Sequence, residues 1–156
     1  MFDVPLDSIA AWVGLAFVSV ALVGVALALP TATPPDAAAA ADTIDAVAAS
    51  PHAAAADYPL HGATVRLDPR RLTLTRGGAS AHATFAYGPV TPVRPGSRLG
   101  LVLAGRPPTA VFRSPGALAR ATAAARERAP VVRSAADRLL VRHVRWRGVD
   151  VTLVGA

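Results

Sequence analysis

The sequence predicts an α+β protein, with an N-terminal transmembrane helix followed by a small antiparallel-sheet domain packed with one or two helices. Three observations carry this expectation. An unbroken apolar run extends from Ile9 to Leu29, alternating segments joined by Gly-Gly and Arg-Gly turns begin near Ala63, and a helical stretch opening at Ser114-Pro115 lies among them.

Residues 1–8 form a short tail with Asp3 and Asp7 and no basic residue. The 21 residues of Ile9 to Leu29 follow. At ~1.5 Å per residue they make a helix about 31 Å long, matching a hydrocarbon core of ~30 Å. Ser19 carries the only hydroxyl in the run, and it can return its hydrogen bond to a carbonyl one turn back. A buried helix of a soluble domain would show a polar face, and this run has none. A cleavable secretory signal is the rival reading, because Ala26-Leu27-Ala28 has the small-x-small form. Against it stand the missing basic n-region and a length beyond the ~7–15 residues of a signal core. Ala10 with Gly14, and Gly24 with Ala28, are small residues four apart, the spacing that lets a second membrane helix approach closely.

Residues 30–59 read as a juxtamembrane helix and an Ala/Pro-rich linker. Pro34-Pro35 blocks continuation of the first helix, because proline lacks an amide donor and clashes with the preceding turn. Asp36 to Ala49 then contains strong helix formers with only a thin apolar stripe, Ile44 and Val47. The distal domain is placed at residues 60–156 and is expected to fold alone.

Within that domain, Ala63–Leu67 and Arg71–Thr75 are strand-like, with Asp68-Pro69-Arg70 as the turn. Gly77-Gly78 supplies the positive φ of a tight hairpin leading into Ser80–Tyr87, which makes a three-strand meander. Gly88–Ser97, with three prolines and two glycines, reads as loop. Ser97–Ala104 fits either a short capped helix or a strand, and Gly100 weakens both. Ser114 as N-cap with Pro115 at the first helical position starts a helix that runs to Arg128 before Pro130, with Leu118, Ala121 and Ala125 on its apolar face. Arg138–Trp146 and Val149–Val154 flank Arg147-Gly148 as a closing hairpin. The alternation of Val149, Val151 and Leu153 with Asp150 and Thr152 predicts one buried face.

Charge divides the chain. Residues 1–57 carry six Asp and no Arg, while residues 58–156 carry all 16 Arg against Asp68, Glu127, Asp137 and Asp150, so −6 stands beside +12 for a net +6. Such asymmetry points to a surface-binding role for the basic part. Lysine and cysteine are both absent, which excludes disulfides, thiolate catalysis, Cys-ligated zinc and a P-loop. The four histidines, His52, His61, His82 and His143, show no metal-ligand spacing, although His82 and His143 could face each other across a sheet. No carboxylate pair is placed for acid/base work, so no catalytic, metal or cofactor residue is expected. The candidate interaction face is Arg138, Arg142, Arg145, Trp146 and Arg147. Its few aromatics argue against nucleic acid and for an acidic lipid, polymer or protein.

The opening MFDVPLDSIAAWVGLAFVSVALVGVALALP, the ADTIDAVAASPH segment, the central HATFAYGPVTPVRPGS and the ending VRWRGVDVTLVGA together resemble an uncharacterised family of short single-pass membrane proteins from haloarchaea. Relatives of this build look like archaeal pilins or pilin-like accessory proteins. The chain departs from prepilin signals in having no Lys or Arg before the apolar run. The resemblance implies a non-enzymatic, membrane-anchored protein with an exported domain, accessory to a pilin-like surface or secretion assembly. Its expected partners are membrane lipid and proteins of that assembly. The alternative is an intracellular, membrane-tethered module that binds an acidic partner through its arginines.

Orientation follows from where the arginines are not. Lys and Arg set topology when they lie within about 15–20 residues of the apolar run, and here the first, Arg66, comes 37 residues after Leu29. The basic domain is therefore free to translocate, and the expected arrangement is N-terminus inside with the domain outside. Protease added to intact cells should remove the Arg-rich domain. Protection until the membrane is opened would reverse the orientation.

Overall fold

The computed structural model describes residues 33–156. In chain order the elements are α1 (Ala37–Ala48), β1 (Ala54–Leu67), β2 (Arg71–Arg76), β3 (Ala79–Thr84), β4 (Thr91–Pro92), α2 (Arg98–Leu103), α3 (Pro108–Val111), α4 (Pro115–Arg126), β5 (Val131–Trp146) and β6 (Val149–Gly155). The strands form one six-stranded sheet in the order β3-β2-β1-β5-β6-β4.

Local chemistry explains the hairpins. Gly77 and Gly78 take φ of 56° and 82°, as a two-residue turn with the twist of its strands demands, and Thr75 pairs with Ser80 across it. Arg147-Gly148 repeats the geometry at φ 45° and 84°, setting Trp146 opposite Val149. The long β1–β5 pairing joins the two hairpins, running antiparallel from Ala54↔His143 to Leu67↔Val131. Its register shifts between Pro59 and Val65, where His61, Gly62 and, on β5, Ala135 adopt positive φ. Such bulges bend the strands and raise their local twist.

Helices cover both faces of the sheet. Consecutive β6 residues Leu153 and Val154 enter different apolar clusters, as neighbours on a strand must. Val154 joins Val141, Leu139, Leu72, Leu74 and Val65 beneath α1. Leu153 joins Val144, Val151, Leu99, Val102, Phe112 and Leu118 beneath the other helices. Asp36 caps α1 by accepting from the Ala39 amide at 2.9 Å. Ala37, Ala40, Ala41, Ile44 and Val47 then form its buried stripe. The Asp45 carboxylate of α1 accepts from the amides of Ala86 and Tyr87, each at 2.9 Å, and so pins the loop that follows β3. Ser97 caps α2 and Ser114 caps α4, each accepting from the amide three residues on.

Several expectations need correction. Among the described residues no helix is long and apolar enough to cross a membrane, so the described fold holds no transmembrane helix. The run Ile9–Leu29, with Ala10, Gly14, Gly24 and Ala28, lies outside the described residues. The sheet is mixed rather than antiparallel, because β4 pairs parallel with β6 inside the stretch read as loop. Residues 60–156 hold three helices rather than one or two, and the expected helix after Pro35 is α1. The expected linker is also part of the fold. Helix α1 supplies core residues that are at most 6% exposed, and Ala54–Pro59 is strand paired with β5. The alanines permit this, because small side chains let α1 approach the sheet closely. On β6, Thr152 and Val154 are buried along with Val151 and Leu153, so both of its faces are covered.

Stability should track α1. Residues 33–156 are expected to melt cooperatively, whereas residues 60–156 alone expose the sheet face under α1 and should not. Ile44, fully buried, should cost ~2–5 kcal/mol as Ile44→Ala in chemical denaturation.

Candidate anion-binding groove

The structure divides the five residues of the expected interaction face. On β5, Arg138, Arg142 and Trp146 point one way and Arg145 the other. Arg138 lies 3.6 Å from Asp57, with both side chains exposed. Arg142 donates to the Val102 carbonyl at 2.8 Å. Arg145 lies 3.2 Å from Asp150 and also donates to the Pro51 carbonyl. Trp146 packs against the apolar cluster under α2 and α4, and Arg147 sits exposed in the turn. Three of the four arginines already hold partners within the domain, so these residues do not make one free cationic face.

A different set of arginines does converge. Arg94, after β4, Arg98 of α2 and Arg128, after α4, line a groove of about 310 Å³. Its walls are apolar. Leu99 and Phe112 are buried at 6% and 3% exposure, and Ala117, Ala121 and Ala125 of α4 line the groove beside them. Those alanines are spaced four apart and share one side of the helix. Their short side chains create the trough, where larger ones would fill it.

Arg98 is held in place. Its guanidinium carbon lies 4.4 Å from the Phe112 ring centroid, and it donates to the Val111 carbonyl. Arg94 is positioned through its backbone, because Ser97 Oγ donates to its carbonyl at 2.7 Å. Gly100 completes the turn. A Cβ there would stand 3.2 Å from the Arg94 carbonyl, which explains a glycine inside a short helix. Among the described residues none of these three arginines makes an ion pair, and no carboxylate lines the groove. Three guanidiniums around an apolar floor suit an occupant that pairs carboxylates or phosphates with apolar groups.

The sheet also carries a polar chain that the sequence did not show. His143, 4% exposed, has Nδ1 at 3.2 Å from Thr152 Oγ1 and Nε2 at 3.0 Å from Asp150 Oδ1. The carboxylate oxygen lies off the Nε2–H axis, so Nε2 lacks a well-directed hydrogen bond. Hydroxyl, imidazole and carboxylate in series resemble a nucleophile with its base. Here, however, Thr152 is only 7% exposed, and Asp150 is drawn to Arg145 rather than aligned on the imidazole N–H, so the three groups are not arranged as an activated nucleophile. The signal was cross-strand register: His143 pairs with Thr152 and Arg145 with Asp150. His82 lies on β3, three strands away from β5, so the two histidines do not meet. Among the described residues no three His, Asp or Glu side chains group to hold a metal.

A model of a family of unknown function, DUF7283, matches residues 3–144, most of the chain. No curated protein and no solved structure matches.

The cap at Ser97 supports the groove rim. Ser97→Ala should lower stability by ~1 kcal/mol, the usual worth of an N-cap. In a thermal melt of a domain this size that is a fall of roughly 4 °C.

Proposed function

The chain belongs to DUF7283, a family of unknown function, and from that premise we propose that it is a non-enzymatic, membrane-attached protein that works by holding an acidic protein partner. The fuller reading is an accessory component of a pilin-like surface or secretion assembly in a haloarchaeal cell, with the described domain exported. The observation that carries the binding role is the groove in which Arg94, Arg98 and Arg128 stand around Phe112 with no carboxylate among its lining residues. Membrane attachment is supported by the apolar run Ile9–Leu29, and export by the lack of Lys or Arg within 20 residues of it. The pilin-like part is supported by sequence resemblance and by helix α1, eight residues beyond Leu29, which packs on a sheet.

The occupant is an extended acidic segment with intervening apolar side chains. Free carboxylates complement the rim, and the apolar side chains remove Phe112 and the alanine face from water. The same arginines on a domain kept inside the cell would instead meet anionic lipid headgroups, which is the alternative function.

A short peptide alternating Asp with Leu, titrated by fluorescence anisotropy at low salt, distinguishes these. Binding to the full chain in detergent is expected, fading as salt rises and the screening length falls below ~10 Å. The double variant Arg94→Gln/Arg128→Gln should weaken it by roughly tenfold, since two partly exposed ion pairs are together worth ~1–2 kcal/mol. Equal binding of the Asn-for-Asp peptide would remove the anion site from the account. Preference for vesicles of anionic lipid over the peptide would put the intracellular module first.

A further inference from the structure

A second cleft, separate from the arginine groove and open to solvent, lies where the loop after β3 meets the β5–β6 hairpin, with a volume of about 410 Å³. Tyr87, Arg126, His143, Thr152 and Asp150 line it. We propose that this cleft binds an acidic carbohydrate, a sugar chain whose units carry both a carboxylate and free hydroxyls.

Tyr87 is the first argument. At 57% it is the most exposed large apolar side chain among the described residues. Its backbone is nevertheless fixed, because its amide and that of Ala86 both donate to Asp45 of α1 at 2.9 Å. An aromatic ring kept in water on a pinned loop offers an apolar face with a polar tip, which suits the mixed C–H and O–H surface of a pyranose.

Arg126 is the second. It is half-buried at the C-terminal end of α4, and its Nε donates to Thr91 Oγ1 at 3.0 Å. The two terminal nitrogens remain, and among the described residues no carboxylate pairs with them. Burial draws its pKa down from the ordinary guanidinium value, as for a cation short of solvent. A ligand carboxylate would supply that counter-ion in two-pronged fashion.

Asp150 decides between ligand classes. Its oxygens are each approached from within the protein, Oδ1 by His143 at 3.0 Å and Oδ2 by Arg145 at 3.2 Å. The Thr152 hydroxyl in turn sets the imidazole at 3.2 Å. The carboxylate is thus held in one orientation while about half its surface stays exposed, and as a lining residue of the cleft it has remaining lone pairs that accept from donors. Sugar hydroxyls are such donors. The carboxylate side chains of an acidic peptide are not. Arg145 offsets the charge of Asp150, which leaves Arg126 as the surplus cation for one negative charge per sugar unit.

The test titrates the full chain in detergent with oligogalacturonate, using neutral dextran and free glycine as comparison ligands and calorimetry as the readout. Saturable binding of the acidic oligomer is expected, with dextran weaker by about tenfold. Tyr87→Ala, an exposed position, should weaken both sugars about fivefold or more. Arg126→Gln should remove the preference for the acidic sugar and leave dextran unchanged. Arg126→Lys keeps the stem and charge but not the fork, so it should recover folding if the glutamine variant fails and retain only part of the preference. Binding should survive Arg94→Gln/Arg128→Gln, which separates this site from the groove. No saturable binding, equal affinity for dextran, competition by glycine, or indifference to Tyr87→Ala would each overturn the proposal.

Discussion

The pairing of β1 with β5 holds the described domain together. On either side of it the structure is local: β1, β2 and β3 form a meander with short turns, and β5 with β6 forms a hairpin closed by Arg147-Gly148. Neither has a partner for its open edge until Ala54–Leu67 lies against Val131–His143. Closing that pair brings together residues 64 to 89 positions apart, a loop cost that grows only as the logarithm of length. Once closed, it forms a continuous face wide enough for α1. Ile44, Val47 and the alanines of α1 pack across residues contributed by both hairpins, such as Leu72 and Leu74 on one side and Leu139, Val141 and Val154 on the other. In a chain with no cysteine, this burial does what a cross-link would do elsewhere.

Turn and cap chemistry made much of the fold legible in the sequence. The Gly77-Gly78 and Arg147-Gly148 hairpins, the Asp68-Pro69-Arg70 turn and the Ser114-Pro115 helix start appear where local residue chemistry places them. The missed parts depend on distant partners. Ala54–Pro59 has no strand-forming composition and becomes strand because β5 offers it a ladder. Thr91-Pro92 is a two-residue strand made only by its parallel contact with Leu153 and Val154. Alanine is ambiguous in sequence. In α1 it allows close packing against a sheet, and in α4 it opens a groove, yet in both places the sequence shows only a helix former.

The site was less legible for a related reason. A run of arginines along β5 looked like one face, but strand alternation sends neighbours to opposite sides, and tertiary contacts then occupy them. His143 and Asp150 lie seven positions apart and signal nothing as a pair until the hairpin register sets Arg145 opposite Asp150 and His143 opposite Thr152. Arg94 and Arg98 lie four positions apart, but Arg128 comes 30 residues later, and only the packing of α2 against the α4 side of the sheet assembles them.

How a segment with 16 arginines and four acids folds at all bears on where it binds. Few carboxylates are available, so several guanidiniums use backbone carbonyls, and those carbonyls cluster at helix ends. Arg98 donates to Val111, the last residue of α3, Arg142 to Val102, near the end of α2, and Arg145 to Pro51, just beyond α1. Carbonyls in the last turn of a helix carry the negative end of its dipole, which favours Arg98 at Val111 and Arg142 at Val102. The Val102 carbonyl also accepts from the Gly105 amide, and Pro51, past the end of α1, offers Arg145 a loop acceptor. This device absorbs part of the charge excess without acids, and it locks the helices to the sheet. It leaves Arg94 and Arg128 without such an acceptor, and Arg126 with only its Nε engaged. Arg94 and Arg128 in the groove and the terminal nitrogens of Arg126 in the second cleft are thus among the arginines that the fold does not use, and at these two concave surfaces an outside anion can reach leftover positive charge.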